Sequence, residues 1–175
     1  RKLPDVLSVE EIQKIIECIE NLKHKTIISL IYSSGLRISE CINLKVKDVD
    51  SQRMLLKINQ SKGKKDRFVP FSAKMLMLLR DYYKEYKPKE FLFEGQFEKY
   101  YSARSIQSVL KNALNKSKIK KKITVHSLRH SYATHLLEQG TDISLIQKIL
   151  GHKDIKTTLL YTQISSSQLS KIKNP

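Results

Sequence analysis

Ile12, Ile15, Ile16 and Ile19 make one apolar stripe at helical spacing, and Ser8-Val9-Glu10-Glu11 ahead of them has the order of a capping box. A first helix is expected there. From about residue 25 to residue 34 the apolar Ile27, Ile28, Leu30, Ile31 and Tyr32 cluster, so a second helix is expected to be buried, with Gly35 as its left-handed stop. Arg37 then opens a short third helix with Ile38, Cys41 and Ile42 inside. After Leu44 the period changes. Residues 54–58 and 67–71 read as strands, 50–53 as a turn and 61–66 as a hairpin loop. With residues 46–49 as a third strand, these make a small antiparallel sheet. The helical period then returns. Ser72 is expected to cap a helix through Ala73, Leu76, Leu79 and Tyr83 that stops near Pro88. Phe91-Leu92-Phe93 is a short apolar element. Ser102 caps a helix with Ile106, Val109, Leu110 and Leu114 inward. A helix from near His126 buries Leu128, Ala133, Leu136 and Leu137 and ends at Gly140. The next starts at Thr141-Asp142 with Ile143, Ile146, Ile149 and Leu150 inside, and a short one lies around 157–161. The fold expected is mainly α with a small antiparallel β-sheet (α+β), without internal repeats.

A chain of 175 residues is long enough for one domain with a proper core. Its charge changes the picture more than its length does. Lys and Arg number 33 against 17 Asp and Glu, a net charge of +16, and a domain this basic is expected to meet a polyanion. The charge is uneven along the chain. No carboxylate occurs between Glu98 and Glu138, where Arg104, Lys118, Lys120, Lys121 and Lys122 fall. Glu10, Glu11, Glu17 and Glu20 crowd the first helix, which is expected to face away from the partner. Cys18 and Cys41 lie in apolar helical patterns and read as reduced core residues of an intracellular, cytoplasmic protein. No apolar run approaches the roughly 20 residues of a membrane span. The chain opens on Arg1 rather than Met, and is expected to be part of something longer.

The candidate chemistry lies between residues 124 and 161. His126 and Arg129 are three apart at a helix start, so they share a face. Gly151 ends a helix and His152 follows it; Tyr161 supplies a phenol, a possible nucleophile. These types suit a phosphodiester. Arg offers a fixed fork of donors to the non-bridging oxygens, His moves or donates protons near neutrality, and Tyr attacks. Each alone has an ordinary reading. Tyr161 is one of eight tyrosines, Arg37 could pair with Glu40 on the surface, and the lysines of 61–66 could belong to a solvated turn. His126 and His130 have the spacing of zinc ligands on a helix, but Ser127 stands where the metalloprotease pattern has Glu. No metal is expected, and His130 reads as a supporting group.

Taken together, the residues resemble the tyrosine recombinase (phage-integrase) family. The resemblance lies in His126-Ser127-Leu128-Arg129, in Gly151-His152 with Tyr161 about ten residues on, in Gly35-Leu36-Arg37-Ile38-Ser39-Glu40, and in Ser61-Lys62-Gly63-Lys64. It covers about residues 7–163. It implies site-specific DNA recombination through a covalent 3′-phosphotyrosine, without a cofactor. It also implies Arg37, Lys62, His126, Arg129, His152 and Tyr161 as catalytic residues, supported by Glu40 and His130. Either Lys62 or His126 could be base or acid. Double-stranded DNA is the implied partner, with a homotetramer working on paired sites. Lys64, Lys65, Arg104, Lys118, Lys120, Lys121 and Lys122 are expected to touch its backbone. A separate N-terminal DNA-clamping domain, usual in similar proteins, is expected to be missing before Arg1. The tail 164–175 is either a plain chain end or a segment that docks on a neighbouring subunit. A type IB topoisomerase, or a non-catalytic DNA-binding regulator with the same fold, are the rival readings.

Overall fold

The structure, a computed structural model, describes residues 5–60 and 65–163. Helix α1 is Val9–Glu17, α2 Leu22–Ser34 and α3 Ile38–Asn43. A 3-10 turn, Val46–Asp48, leads to strands β1 Val49–Asp50, β2 Leu55–Ile58 and β3 Arg67–Pro70. Helices α4 Ala73–Tyr86, α5 Ala103–Ser117, α6 Val125–Glu138, α7 Ile143–Leu150 and α8 Ile155–Leu159 follow, and a 3-10 turn Leu160–Gln163 closes the described chain. The expected mixture of helices with one small antiparallel sheet is what the chain forms.

Local chemistry sets most boundaries. Ser8 accepts from the Glu11 amide at 3.1 Å while the Glu11 carboxylate accepts from the Ser8 amide at 2.9 Å, the reciprocal capping box. Helix α2 begins three residues earlier than its apolar run, because Asn21 caps it through the His24 amide. It is the central element, packing against α1, α3, α4, α5 and α6. Its Ile27, Ile28, Leu30 and Ile31 are all at most 1% exposed.

The strand expected at 46–49 forms only at its end. Residues 46–48 turn as a 3-10 helix because the buried Asp48 carboxylate accepts from the Lys45 amide and from Asn59 Nδ2, which closes the backbone on itself. The sheet order is β1-β2-β3, all antiparallel, with Leu56 opposite Val69 and Ile58 opposite Arg67. Its inner face is Leu56, Ile58, Arg67 and Val69, and β3 packs on α7.

Helix α4 starts at the Ser72 cap as expected and turns one face inward. Met75, Leu79 and Tyr82 are buried, whereas Ala73 is exposed, Leu76 half-buried and Tyr83 48% exposed. The unbroken apolar run 75–79 leaves the stripe ambiguous. Tyr82 settles it, donating to the Leu92 carbonyl at 2.7 Å and packing on Phe93. Cys41 is fully buried and Cys18 half-buried. Among the described residues no helix is long and apolar enough to cross a membrane.

Gly35 ends α2 with φ 61°, a conformation that strains any residue with a Cβ. An added Cβ would also lie 2.7 Å from a Tyr132 ring carbon and 2.8 Å from a Leu150 methyl. Gly35→Ala should therefore destabilise the fold by about 2–4 kcal/mol, the sum of left-handed strain and overpacking, as measured by urea unfolding. A loss under ~1 kcal/mol would mean that the α2–α6–α7 junction repacks freely.

Candidate active site

Three helix ends meet beside the sheet, and arginines satisfy the carbonyls they leave over. The last carbonyls of a helix lack intrahelical donors. Arg129, from the second turn of α6, donates to the Gly35 carbonyl at the end of α2 (2.7 Å) and to the Leu150 carbonyl at the end of α7 (2.6 Å). Arg67, at the start of β3, donates to the neighbouring Ile149 carbonyl at 2.7 Å. Both guanidiniums are buried, Arg129 at 1% exposure. Burial, with Arg37 nearby, lowers the Arg129 pKa to about 10, so it stays charged at neutral pH.

Glu40 is the shared counter-ion. One of its oxygens accepts from Arg37 Nη1 at 2.9 Å, and its carboxylate takes the Arg67 fork at 2.7 and 2.9 Å. Arg129 lies 3.7 Å away, and the Arg37 amide donates to Glu40 at 2.8 Å. The expected Arg37–Glu40 pair is present, as one edge of a cluster of three cations around one anion. Burial pushes the Glu40 carboxyl up, but the hydrogen bonds and charge of Arg67, with the Arg37 amide and Arg129, hold it below its ordinary value.

That direction fixes a pH dependence. A carboxyl whose folded pKa is depressed stabilises the fold fully above its unfolded value of ~4.3 and loses that contribution as pH falls through the folded value. Glu40→Gln should cost about 3 kcal/mol at neutral pH, as for a broken buried ion pair. It should also flatten the acid side of the stability–pH curve obtained by chemical denaturation. An unchanged acid limb in the variant would remove Glu40 as the counter-ion.

The histidines and the phenol lie within the field of Arg129. Gly151, with φ 67°, turns the chain out of α7; a Cβ there would meet Arg67 Cδ at 3.0 Å. His152 follows, its Nδ1 paired with Thr158 Oγ1 at 2.8 Å and its ring stacked on Tyr161, 17° from parallel. Tyr161 is 2% exposed, and its hydroxyl meets His130 Nδ1 at 2.8 Å. The His126 and His130 rings touch edge to face, 4.3 Å between centroids. Burial lowers the pKa values of His130 and His152 to about 4, helped by His126 and Arg129 in the first case and by Arg129 and Arg37 in the second. His126 is lowered by burial, then by the same two arginines. Burial raises the Tyr161 phenol, and Arg129 and Arg37 only partly oppose it.

Arg37, Glu40, His126, Arg129, His130, His152 and Tyr161 thus share one neighbourhood. Lys62 and Lys64 lie outside the described residues, as does the tail 164–175. Lys65, Arg104, Lys118, Lys120 and Lys122 are exposed. Lys121 is exposed as well, and its ammonium donates to the Glu11 carboxylate at 2.8 Å and to the Val6 carbonyl. The linker 118–121 lies against the acidic start of α1, so charges that are separated along the chain are adjacent in space. Arg67 was not anticipated. The alternation along β3 is the signal for it, since Arg67 shares the inward face with buried Val69 while Phe68 points out at 56% exposure. Among the described residues no group of three His, Cys, Asp or Glu is placed to hold a metal ion.

Comparison with known proteins gives a consistent answer. The profile of the phage integrase family matches residues 5–168. The chain is similar to a tyrosine recombinase of Thermosipho africanus, 39% identical over 171 residues, covering 96% of this chain and 60% of that protein. It is similar to tyrosine recombinase XerD of Staphylococcus aureus, 38% identical over 186 residues, covering 99% of this chain and 63% of that one. In three dimensions it resembles the crystal structure of XerA recombinase, with a TM-score of 0.88, 32% identity, and coverage of 98% of this chain and 64% of that one. It also resembles XerH site-specific recombinase bound to palindromic difH substrate in a post-cleavage complex, with a TM-score of 0.84, 26% identity, and coverage of 97% and 52%. The chain therefore spans roughly three fifths of the length of these relatives.

Proposed function

The chain belongs to the phage integrase family of tyrosine recombinases, and from that premise we propose that it cleaves and rejoins DNA at specific sites through a covalent 3′-phosphotyrosine formed by Tyr161. The observation that carries this is the placing of Tyr161 against His130 and His152, within the field of Arg129 and Arg37, two arginines that share Glu40 as their counter-ion. The relatives' names point the same way.

The roles follow from charge. As Tyr161 attacks, negative charge grows on the non-bridging oxygens of the phosphate. Arg37, Arg129 and His152 are the donors proposed to receive it, and one preorganised donor of this kind is worth about 3–4 kcal/mol. Arg129 is already locked by two backbone carbonyls, so little reorganisation is needed when the phosphate arrives. Glu40 is proposed to orient Arg37, being bonded to both its amide and its guanidinium. Lys62 is proposed to give the 5′-oxygen its proton, a role that rests on the sequence resemblance. The product stores the ester bond, and a second strand's 5′-hydroxyl reverses the step. Double-stranded DNA is the partner, bound as a homotetramer on two sites, with Lys65, Arg104, Lys118, Lys120 and Lys122 as backbone contacts; Lys121 contributes only if its bond to Glu11 opens.

The test is to incubate the full-length protein with candidate sites that carry a nick next to the scissile phosphate. The short 5′ fragment then escapes and religation fails. A protein–DNA adduct that survives denaturation is the expected result. Bound DNA that is neither cut nor attached to protein would leave DNA binding without this chemistry, and a cut strand with no attached protein would mean hydrolysis instead.

A further inference from the structure

Ionising Tyr161 is the costly part of the reaction. A phenol of pKa ~10 costs about 4 kcal/mol to deprotonate at pH 7, three units at 1.36 each, and burial makes it dearer. Something must take the proton. Among the described residues one group is within hydrogen-bond distance of the Tyr161 hydroxyl, and it is His130 Nδ1, at 2.8 Å. His152 presents its ring face to Tyr161 and has its own Nδ1 on Thr158, while His126 meets His130 rather than Tyr161.

We propose that His130 is the catalytic base that accepts the proton of Tyr161 during strand cleavage, on the understanding that Tyr161 is the nucleophile as set out above. The Tyr161 O–H bond breaks and its proton passes to His130 Nδ1, making an imidazolium. The freed oxygen bonds to phosphorus, and the bond from phosphorus to the 5′-oxygen breaks. The leaving oxygen takes a proton from a separate acid. In the reverse step the imidazolium returns its proton to the phenol, so nothing is consumed. His130 enters the reaction neutral, because burial beside His126 and Arg129 keeps its ring unprotonated near neutral pH. The incoming phosphate brings the negative charge that an imidazolium needs for company.

The same helix supplies a matched comparison. His135 Nδ1 meets the Tyr32 hydroxyl, also at 2.8 Å, with the rings edge to face. That pair sits in the core between α2 and α6, and burial is the one cause that moves the Tyr32 phenol. The Tyr161 phenol additionally feels Arg129 and Arg37. Two Tyr–His pairs of equal length thus differ in whether cations stand ready to hold a phosphate.

The test uses full-length protein on nicked sites under single-turnover conditions, reading the adduct rate and DNA binding separately. His130→Phe should slow adduct formation by about 100-fold or more, as for a lost general base, with binding unchanged. His130→Gln can still bond the phenol but takes no proton, and should be similarly slow. His135→Phe should lower thermal stability and leave the adduct rate of the folded protein near that of the parent. Placing a fluorinated tyrosine of lower pKa at 161 should restore at least about 10-fold in His130→Phe, because an acidic phenol leans less on its base. An adduct rate in His130→Phe equal to or above the parent's would overturn the proposal and make the contact a resting-state latch. A fast His130→Gln would reduce His130 to a positioning group. Failure of the fluorinated residue to rescue would likewise reject the base. If the unmodified protein forms no adduct at all, it is the proposed function that fails, and this assignment with it.

Discussion

Replacing Tyr161 with Phe should abolish covalent attachment to DNA while leaving binding intact. The change removes one oxygen from a side chain that is 2% exposed, so the ring keeps its place against His152. The stability cost is that of one buried hydrogen bond, about 1 kcal/mol, as His130 Nδ1 loses its partner. The chemical cost is total, because the attacking oxygen is gone, and among the described residues Tyr161 is the tyrosine whose hydroxyl meets His130 and whose ring stacks on His152. Denaturing gels of the full-length variant on nicked sites, beside gel-shift measurements, separate the two effects. An adduct retained in Tyr161→Phe would mean that another group attacks.

The second large effect should come from Arg129. Arg129→Ala strips donors from the Gly35 and Leu150 carbonyls at once, at about 1–3 kcal/mol for each group left unsatisfied, and it removes a cation beside Glu40. A loss of 4 kcal/mol or more is expected in urea unfolding, which approaches the whole stability of a marginal domain. Whatever fraction stays folded should cleave at least about 100-fold more slowly, as for a missing transition-state donor. Arg129→Lys separates the two roles. Its single ammonium cannot serve two carbonyls in a fixed fork, so it should recover part of the stability and little of the rate. Lysine restoring full cleavage would show that charge alone suffices and that the fork is structural.

The legible parts of this chain are those governed by neighbours in sequence. Ser8, Ser72, Ser102 and Asp142 each cap a helix, and Gly35 and Gly151 each stop one. Local rules place those residues because their partners are a few positions away. Arg67 fails that condition. It sits in a short strand beside a lysine-rich loop, where charge ordinarily means solvent, and its partners are Glu40 and the Ile149 carbonyl. Lys121 fails it as well, since its partner Glu11 lies 110 positions away and nothing in the basic linker announces that pair. The inward face of α4 is illegible for a third reason. Five consecutive apolar residues define no stripe, and Tyr82 chose the register through a carbonyl ten positions on.

The arginine contacts at the helix ends also set when the site can exist. Arg129 reaches Gly35 across 94 positions of sequence, and Arg67 reaches Ile149 across 82. Contacts that distant close large loops before any bond rewards them, so they belong to the slow end of folding. On a ribosome, α1 through α5 can emerge and collapse while the carbonyls of Gly35 still lack their donor. The arginines that hold the helix ends come into alignment only after α7 has left the exit tunnel, with Tyr161 a further eleven residues behind Leu150. A nascent chain therefore presents its basic surface long before the proposed cleavage site is assembled.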